Sequence, residues 1–362
     1  MNNSDKLRVG ILGATGMVGQ QYIKLLENHP WFEVRHVVAS EKSAGRSYAD
    51  AVNGRWHMPT KIPEDVKDLN VYTIDDIDSA AMNCDFVFSA LDSDIAKVYE
   101  EKYADAGIPV VSNSSAHRWT DDIPMLIPEI NSSHLDIITI QQKNHGWKKG
   151  FIVVKPNCSL QSYLTPLYAL DKKFGLDKVI VTTMQAVSGA GHPGVSSFDI
   201  IDNIIPYIKG EEDKTEKEPL KILGIISGNR IIADNRISIS AHCNRVPVID
   251  GHMACVSFSL KKIATKEEII ECWENFNNNH TIHDLKLPSS PECAITYSYE
   301  PDRPQTRIDR DNDKGMTVNV GRLRECNVLQ WKFVALSHNT IRGAAGGGIL
   351  NAELLKEKGF FN

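Results

Sequence analysis

Residues 8–19 read RVGILGATGMVG: an apolar run that behaves as a buried strand, a glycine turn, and the start of a helical pattern at Val18, Tyr22, Leu25 and Leu26. This order constrains the fold more than any other feature of the chain. A strand that turns through glycines directly into a helix lets the backbone approach a pyrophosphate, which binds the free N–H groups at the helix N-terminus. Glycines alone mark any turn. Here the strand before and the helix after are both present, as a dinucleotide site requires.

The following segments repeat the α/β alternation. Glu33–Ala39 is expected to be the next strand, with Ser40, Glu41, Lys42 and Ser43 at its tip. An acid at this tip binds the ribose 2′-hydroxyl of NAD, and a cation accommodates the 2′-phosphate of NADP. Lys42 and the two serines favour NADP, Glu41 argues the other way, and a solvated turn is the plain alternative. Asp85–Leu91 and Pro109–Ser112 continue the strands, with a helix from Asp94 to Ala106 between them. Ligands gather at the carboxyl ends of such strands, so Ser89 and Arg118 are candidate site residues. Arg118 is either an anion clamp or a surface arginine.

At 362 residues the chain has room for two domains with their own cores. Charged residues make up 24% and the net charge is only −6, which gives no sign of a nucleic-acid partner. The seven cysteines form no close-set framework and fit a reducing compartment. The opening stretch has an apolar run too short for a signal peptide, and no later run reaches membrane length. The expectation is a soluble cytoplasmic protein without membrane contact.

In the second half, KPNCSLQ (155–161) precedes an apolar pattern at Leu160, Leu164, Leu167 and Leu170. This places Cys158 at the first turn of a helix, where the dipole favours a thiolate; a small buried thiol is the alternative. Pro166 inside that helix is expected to kink it or cost a bond. Gln185 lies near the end of a strand whose face also carries Val179, Val181 and Thr183. Period-two counting puts Arg245 on the apolar face with Ile237, Ile239, Ala241 and Cys243. It puts His252 with Ala254, Val256, Phe258 and Leu260, across an Asp250-Gly251 turn. Ionisable groups on apolar strand faces are costly to bury without a purpose. Zinc ligation by His242, Cys243, His252 and Cys255 is a poor fit, because the adjacent pair points to opposite faces and no C-x-x-C is present. In the charge run GEEDKTEKEPLK (210–221), Glu218 and Lys221 share a helical face. The region from Asn339 to Lys356 is expected to be a helix capped by Asn339, with glycines that suit a close approach by backbone or cofactor.

Together these residues resemble the aspartate-semialdehyde dehydrogenase family, in its fungal and archaeal branch, along nearly the whole chain. The matches are the glycine turn, Asn113–Arg118, Pro156-Asn157-Cys158-Ser159, Gln185, Glu218-x-x-Lys221, Arg245 with His252, and Asn339 with Gly343-Ala344-Ala345. The resemblance implies an α/β fold: a Rossmann-type parallel-sheet domain (1–156 and 339–362) and an α+β catalytic and dimerisation domain (157–338) of the glyceraldehyde-3-phosphate dehydrogenase-like type. It implies Cys158 as nucleophile, His252 as general acid/base and Gln185 as the group orienting the reacting centre. Asn157 would contact substrate, Arg245 its carboxylate, Glu218 its amine, and Arg118 with Lys221 the phosphate. NADP would be held by Gly13, Thr15, Gly16, Met17, Val18, Ser40, Lys42, Ser43, Ser89, Ser188, Gly189 and Asn339, with no metal. The implied activity is phosphorylating: aspartyl phosphate is reduced to aspartate semialdehyde, with release of phosphate, in lysine, threonine, methionine and isoleucine biosynthesis. The implied assembly is a homodimer or homotetramer. Alternatives are a malonyl-coenzyme A reductase of archaeal type and a non-catalytic NADP-binding redox regulator; the His-Pro-Gly-Cys signature of N-acetylglutamyl-phosphate reductase has no counterpart.

Overall fold

The computed structural model describes residues 6–361. Strands β1 (Leu7–Leu12), β2 (Phe32–Val38), β3 (Val71–Tyr72), β4 (Phe86–Ser89), β5 (Val110–Ser112) and β6 (Ile152–Val154) form one sheet in the order β3-β2-β1-β4-β5-β6. Every neighbouring pair is parallel. β4, β5 and β6 are buried at every position, as unbroken apolar strands covered on both faces should be. The order reverses between β1 and β4, so a crevice opens beyond their carboxyl ends. The glycine turn delivers the helix Met17–Leu26 to that crevice. Gly13 has φ +78, and a side chain at Gly19 would overlap the Gly13 carbonyl, so the turn winds tightly under the helix.

The second lobe contributes β7 (Leu176–Gln185), a hairpin of β8 (Ile225–Ser227) with β9 (Arg230–Ile232), β10 (Ser238–Arg245), β11 (His252–Leu260), β12 (Ile295–Ser298), β13 (Val318–Glu325) and β14 (Trp331–Ser337). Its mixed sheet runs β10-β7-β11-β14-β13-β12. The helices Leu164–Phe174 and Lys266–Phe276 cover one face, joined by Trp273, which is wholly buried and donates to the Pro166 carbonyl at 3.0 Å. The opposite face leaves Ile180, His242 and Cys255 exposed.

Three expectations change. β10 and β11 do not pair as a hairpin, because β7 lies between them. The helix after Cys158 is broken: a 3-10 turn at Ser159–Ser162 ends at Tyr163 and a second helix begins at Leu164. Pro166 therefore falls in a first turn, where its missing N–H costs nothing. Asn339 caps no helix. A π turn at Ile341–Ala345 leads into the helix Gly346–Glu357.

The glycines of this C-terminal segment answer to close neighbours. A Cβ at Gly343 would lie 3.0 Å from Cys158 Cβ, one at Gly347 would lie 2.8 Å from Lys155 Cε, and one at Gly348 would overlap Tyr22 Oη. The segment is tied to both lobes by Arg342, which is 2% exposed. Its Nη1 donates to Glu129 Oε1 (2.8 Å) and the Met316 carbonyl (2.9 Å), and its Nη2 donates to Thr165 Oγ1 (3.2 Å). Glu129→Gln would leave this buried guanidinium without its counter-charge. It should lower stability by about 3–5 kcal/mol in urea unfolding; a loss below about 1 kcal/mol would mean that the ion pair does not hold the segment.

Candidate active site

β10, β7 and β11 end side by side. Arg245 is in register with Gln185, and Met253, next to His252, is opposite Met184. The alternation read from the sequence turns Gln185, Arg245 and His252 inward, at 2%, 6% and 0% exposure. His242 and Cys255 point to the other face, and no group of three metal-ligating side chains occurs among the described residues. The elbow Pro156-Asn157-Cys158 brings a half-buried sulfur to this row, 3.3 Å from His252 Nε2.

The partners of His252 fix what it can do. The Ala186 N–H donates to Nδ1 at 3.1 Å. The neutral ring therefore carries its proton on Nε2 and presents a donor to the sulfur. Burial, then Arg245 and His338, lower its pKa to about 3, so the ring stays neutral. His252 is placed to give a hydrogen bond or a proton; the base's half of the expected acid/base role has no free nitrogen. Burial pushes the Cys158 thiol up to about 11, with Glu211 adding to the rise and Lys155, Arg118 and Arg245 opposing it. The low thiol pKa expected from the helix start is thus absent, because Cys158 precedes only a short 3-10 turn and the surrounding protein desolvates it.

A cavity of about 610 Å³ runs from this row to the start of the helix Met17–Leu26. Met17, Val18, Arg118, Asn157, Cys158, Gln185, Ser188, Gly189, Arg245 and Asn339 line it. A Cβ at Gly189 would lie 2.9 Å from Arg245 Nη1 and 3.0 Å from His252 Nε2, so a side chain there would crowd both groups. Asn339 accepts from the Gly251 N–H and donates to Ser188 Oγ, both at 2.8 Å, and ties two loops of the rim together. Gly13, Thr15 and Gly16 form the turn behind the helix rather than the wall. Ser40 and Lys42 stand exposed beyond β2, and Ser43 is buried beneath them. Ser89 is wholly buried and does not reach the cavity.

Glu218 and Lys221 are not in the cavity wall. Glu218 is 0% exposed; its Oε1 accepts from Arg118 Nη1 (2.8 Å) and its Oε2 from the Asn157 N–H (2.6 Å). Lys221 Nζ donates to the carbonyls of Arg118 and Thr120, both at 2.7 Å. Two helical turns earlier on the same face, Glu211 and Lys214 do line the cavity, joined by a 2.9 Å ion pair. Glu211 also accepts from Asn157 Nδ2 (3.0 Å) and Gln185 Nε2 (3.1 Å). The sequence reading missed them although the Glu-x-x-Lys spacing is identical, since periodicity fixes the face and not the turn. Pro219 interrupts this helix, Glu211–Ile222, and the carbonyl of Thr215 accepts from Tyr163 Oη (3.1 Å) instead.

Two further features gave no sequence signal. Arg55, on a loop, donates from Nη2 to Ser43 Oγ (3.3 Å) and so adds a cation at the tip of β2. His57 of the first lobe stacks on His192 of the second, with ring centroids 3.9 Å apart, at the cavity mouth.

A dinucleotide-type sheet and a mixed-sheet lobe meeting at a cysteine define a class, the semialdehyde dehydrogenases. Residues 8–138 match the family described as "Semialdehyde dehydrogenase, NAD binding domain", and residues 164–342 match "Semialdehyde dehydrogenase, dimerisation domain". Within that class, the chain belongs to the aspartate-semialdehyde dehydrogenase family. It is 48% identical to the Archaeoglobus fulgidus enzyme over 97% of this chain and 98% of that one. It is 44% identical to the Candida albicans enzyme, again over 97% and 98%. The crystal structure of the Candida albicans enzyme with NADP superposes with a TM-score of 0.89 at 42% identity, over 97% of this chain and 99% of that one.

The neutral state of His252 has a consequence for stability. Its folded pKa lies below the ordinary value of 6.5, so the unfolded chain takes up the proton first as pH falls. Stability from this group is intact above about pH 6.5 and is lost toward pH 3, by up to about 1.4 kcal/mol per pH unit. His252→Gln should flatten the acid side of the stability profile in urea titrations between pH 7 and 4. An unchanged slope would show that His252 is not buried neutral.

Proposed function

We propose that this protein reduces L-aspartyl 4-phosphate to L-aspartate 4-semialdehyde, with release of phosphate, through a thioester on Cys158. The observation that carries the reading is the Cys158–His252 contact of 3.3 Å in a cavity that also holds Arg118, Lys214 and Arg245. A non-catalytic redox regulator would have no use for those cations beside a thiol.

The residues fit NADP. The helix Met17–Leu26 starts without a side-chain cap, so its first N–H groups are free for a pyrophosphate. Lys42 and Arg55 stand exposed at the tip of β2, where a 2′-phosphate would need a cation. Bound NADPH supplies a hydride. The rest of the chemistry falls to the protein. The Cys158 sulfur attacks the acyl carbon of aspartyl phosphate, the bond to the phosphate oxygen breaks, and phosphate leaves toward Arg118 and Lys214. His252 Nε2–H donates to the developing negative charge. After reduction the C–S bond breaks and the semialdehyde departs. Arg245 keeps part of its guanidinium for the substrate carboxylate, since only Nη1 is engaged, with the Ala186 carbonyl at 2.7 Å. Glu211 takes the amine role expected of Glu218, and Gln185 with Asn157 holds Glu211 in place.

We further take residues 1–156 with 339–362 as the cofactor domain and 157–338 as the catalytic domain. The assembly is proposed as a dimer through the exposed Phe198, Ile201, Ile204 and Tyr207, with a tetramer as the alternative, in the cytoplasm. Among the described residues no helix is long and apolar enough to cross a membrane.

Cys158→Ser should abolish phosphate-dependent NADP reduction with aspartate semialdehyde while NADPH binding survives, because a hydroxyl is a far poorer nucleophile. Retained turnover would refute the reading. Lys214→Ala should raise the KM for phosphate by about tenfold or more, as expected for a charge-assisted contact. Lys221→Ala should act first on stability. The opposite pattern would restore Lys221 to the phosphate site.

A further inference from the structure

His252 presents a donor to Cys158, so the thiol proton has no acceptor at the imidazole. The nearby carboxylates are occupied: Glu211 by Asn157, Gln185 and Lys214, and Glu218 by Arg118 and the Asn157 N–H. Arg118 and Arg245 carry fixed charge. Of the charged groups that act on the Cys158 thiol, Lys155 remains, three residues before the sulfur.

Lys155 is 1% exposed and has no carboxylate partner within ion-pair distance among the described residues. Its Nζ donates to the Pro156 carbonyl at 3.1 Å. An ammonium buried without a counter-ion tends to give up its proton. Burial lowers Lys155 to about 7; Cys158 is the strongest influence opposing that fall, Glu218 also opposes it, and Arg118 and Arg342 add to it. In return, Lys155 pulls the Cys158 thiol down more than Arg118 or Arg245 does. One stretch of chain backs both side chains, Gly343 against Cys158 and Gly347 against Lys155. Next to Lys155 lies a cavity of about 10 Å³, lined by Glu129, Arg342 and Asn351 among mostly apolar neighbours. Asn351 Oδ1, in the lining of the same cavity, is a buried acceptor without a hydrogen-bond partner.

We propose that Lys155 is a positioning residue for charge: it shares one proton with Cys158 and holds that proton, as an ammonium, when the sulfur is a thiolate. The thiol and amine become thiolate and ammonium, with no net change of charge. A buried thiolate near a cation costs less than one with no compensating charge. The inference rests on Cys158 as the nucleophile.

The test is the pH dependence of Cys158 alkylation by iodoacetamide in the unliganded full chain, followed by peptide mass for wild type, Lys155→Met and Lys155→Arg. Loss of the cation should slow alkylation at pH 7.5 by about tenfold or more and move the midpoint upward by a unit or more. Lys155→Arg should stay within about threefold of wild type. A Lys155→Met profile that superposes on wild type, or equal shifts in both variants, overturns the proposal. If Lys155→Met does not fold, Lys155→Arg decides alone: alkylation at pH 6 slower than wild type by more than threefold overturns the proposal, and wild-type behaviour supports it. Turnover retained in Cys158→Ser would instead refute the nucleophile while leaving the alkylation profiles standing.

Discussion

The carboxylate of Glu218 is the contact on which the site depends. It is fully buried and bonds to three parts of the structure at once: its own helix carries it, Arg118 reaches it from the first lobe, and the Asn157 N–H meets it from the cysteine elbow. A carboxylate buried this deeply is costly unless its oxygens find partners. Those partners in turn fix where the sulfur and the Arg118 guanidinium sit. Arg118 is pinned further by the carbonyls of Lys155 (3.0 Å) and Asn113 (3.2 Å). The two lobes are thus joined beside Cys158 through Arg118, Glu218 and the Asn157 N–H.

Much of this was legible in the sequence, for reasons that can be traced residue by residue. The glycine turn required a crossing of strand and helix that only a parallel layer provides. Strand alternation put Arg245 and His252 on apolar faces, and β10 and β11 turn them inward as counted. The rest depended on information that periodicity lacks. A helix repeats its face every two turns, so Glu211 and Glu218 were indistinguishable until the helix met the elbow. The tautomer of His252 hangs on the Ala186 N–H, which arrives from the strand between β10 and β11. The state of the thiol depends on depth between two lobes, a property no local pattern carries. Arg55 and the stacked His57 and His192 come from loops, where long-range placement leaves no periodic trace.

The C-terminal segment illustrates how a locally poor sequence can be globally required. Four glycines in six residues are unfavourable for a helix by up to about 1 kcal/mol each. All four meet close neighbours: Cys158 at Gly343, Ile341 and Met316 at Gly346, the Arg342 carbonyl and Lys155 at Gly347, and Tyr22 at Gly348. The π turn at Ile341–Ala345 absorbs the mismatch and leaves Arg342 aimed at Glu129. Helix propensity is given up where close packing against Cys158 and the first lobe is gained.

The cations around the sulfur are unequal. Arg118 shares its charge with Glu218, and Lys214 shares its charge with Glu211. Arg245 has no carboxylate within ion-pair distance among the described residues, and burial lowers its pKa. An incoming anion therefore competes with an existing partner at Arg118 and Lys214 but not at Arg245. Under the proposed reaction, the substrate carboxylate, which stays bound throughout, is assigned to the unshared charge, where the fork offers two-point contact. The same proposal assigns the departing phosphate to the shared charges of Arg118 and Lys214, where Glu218 and Glu211 compete for the cations and would weaken its hold.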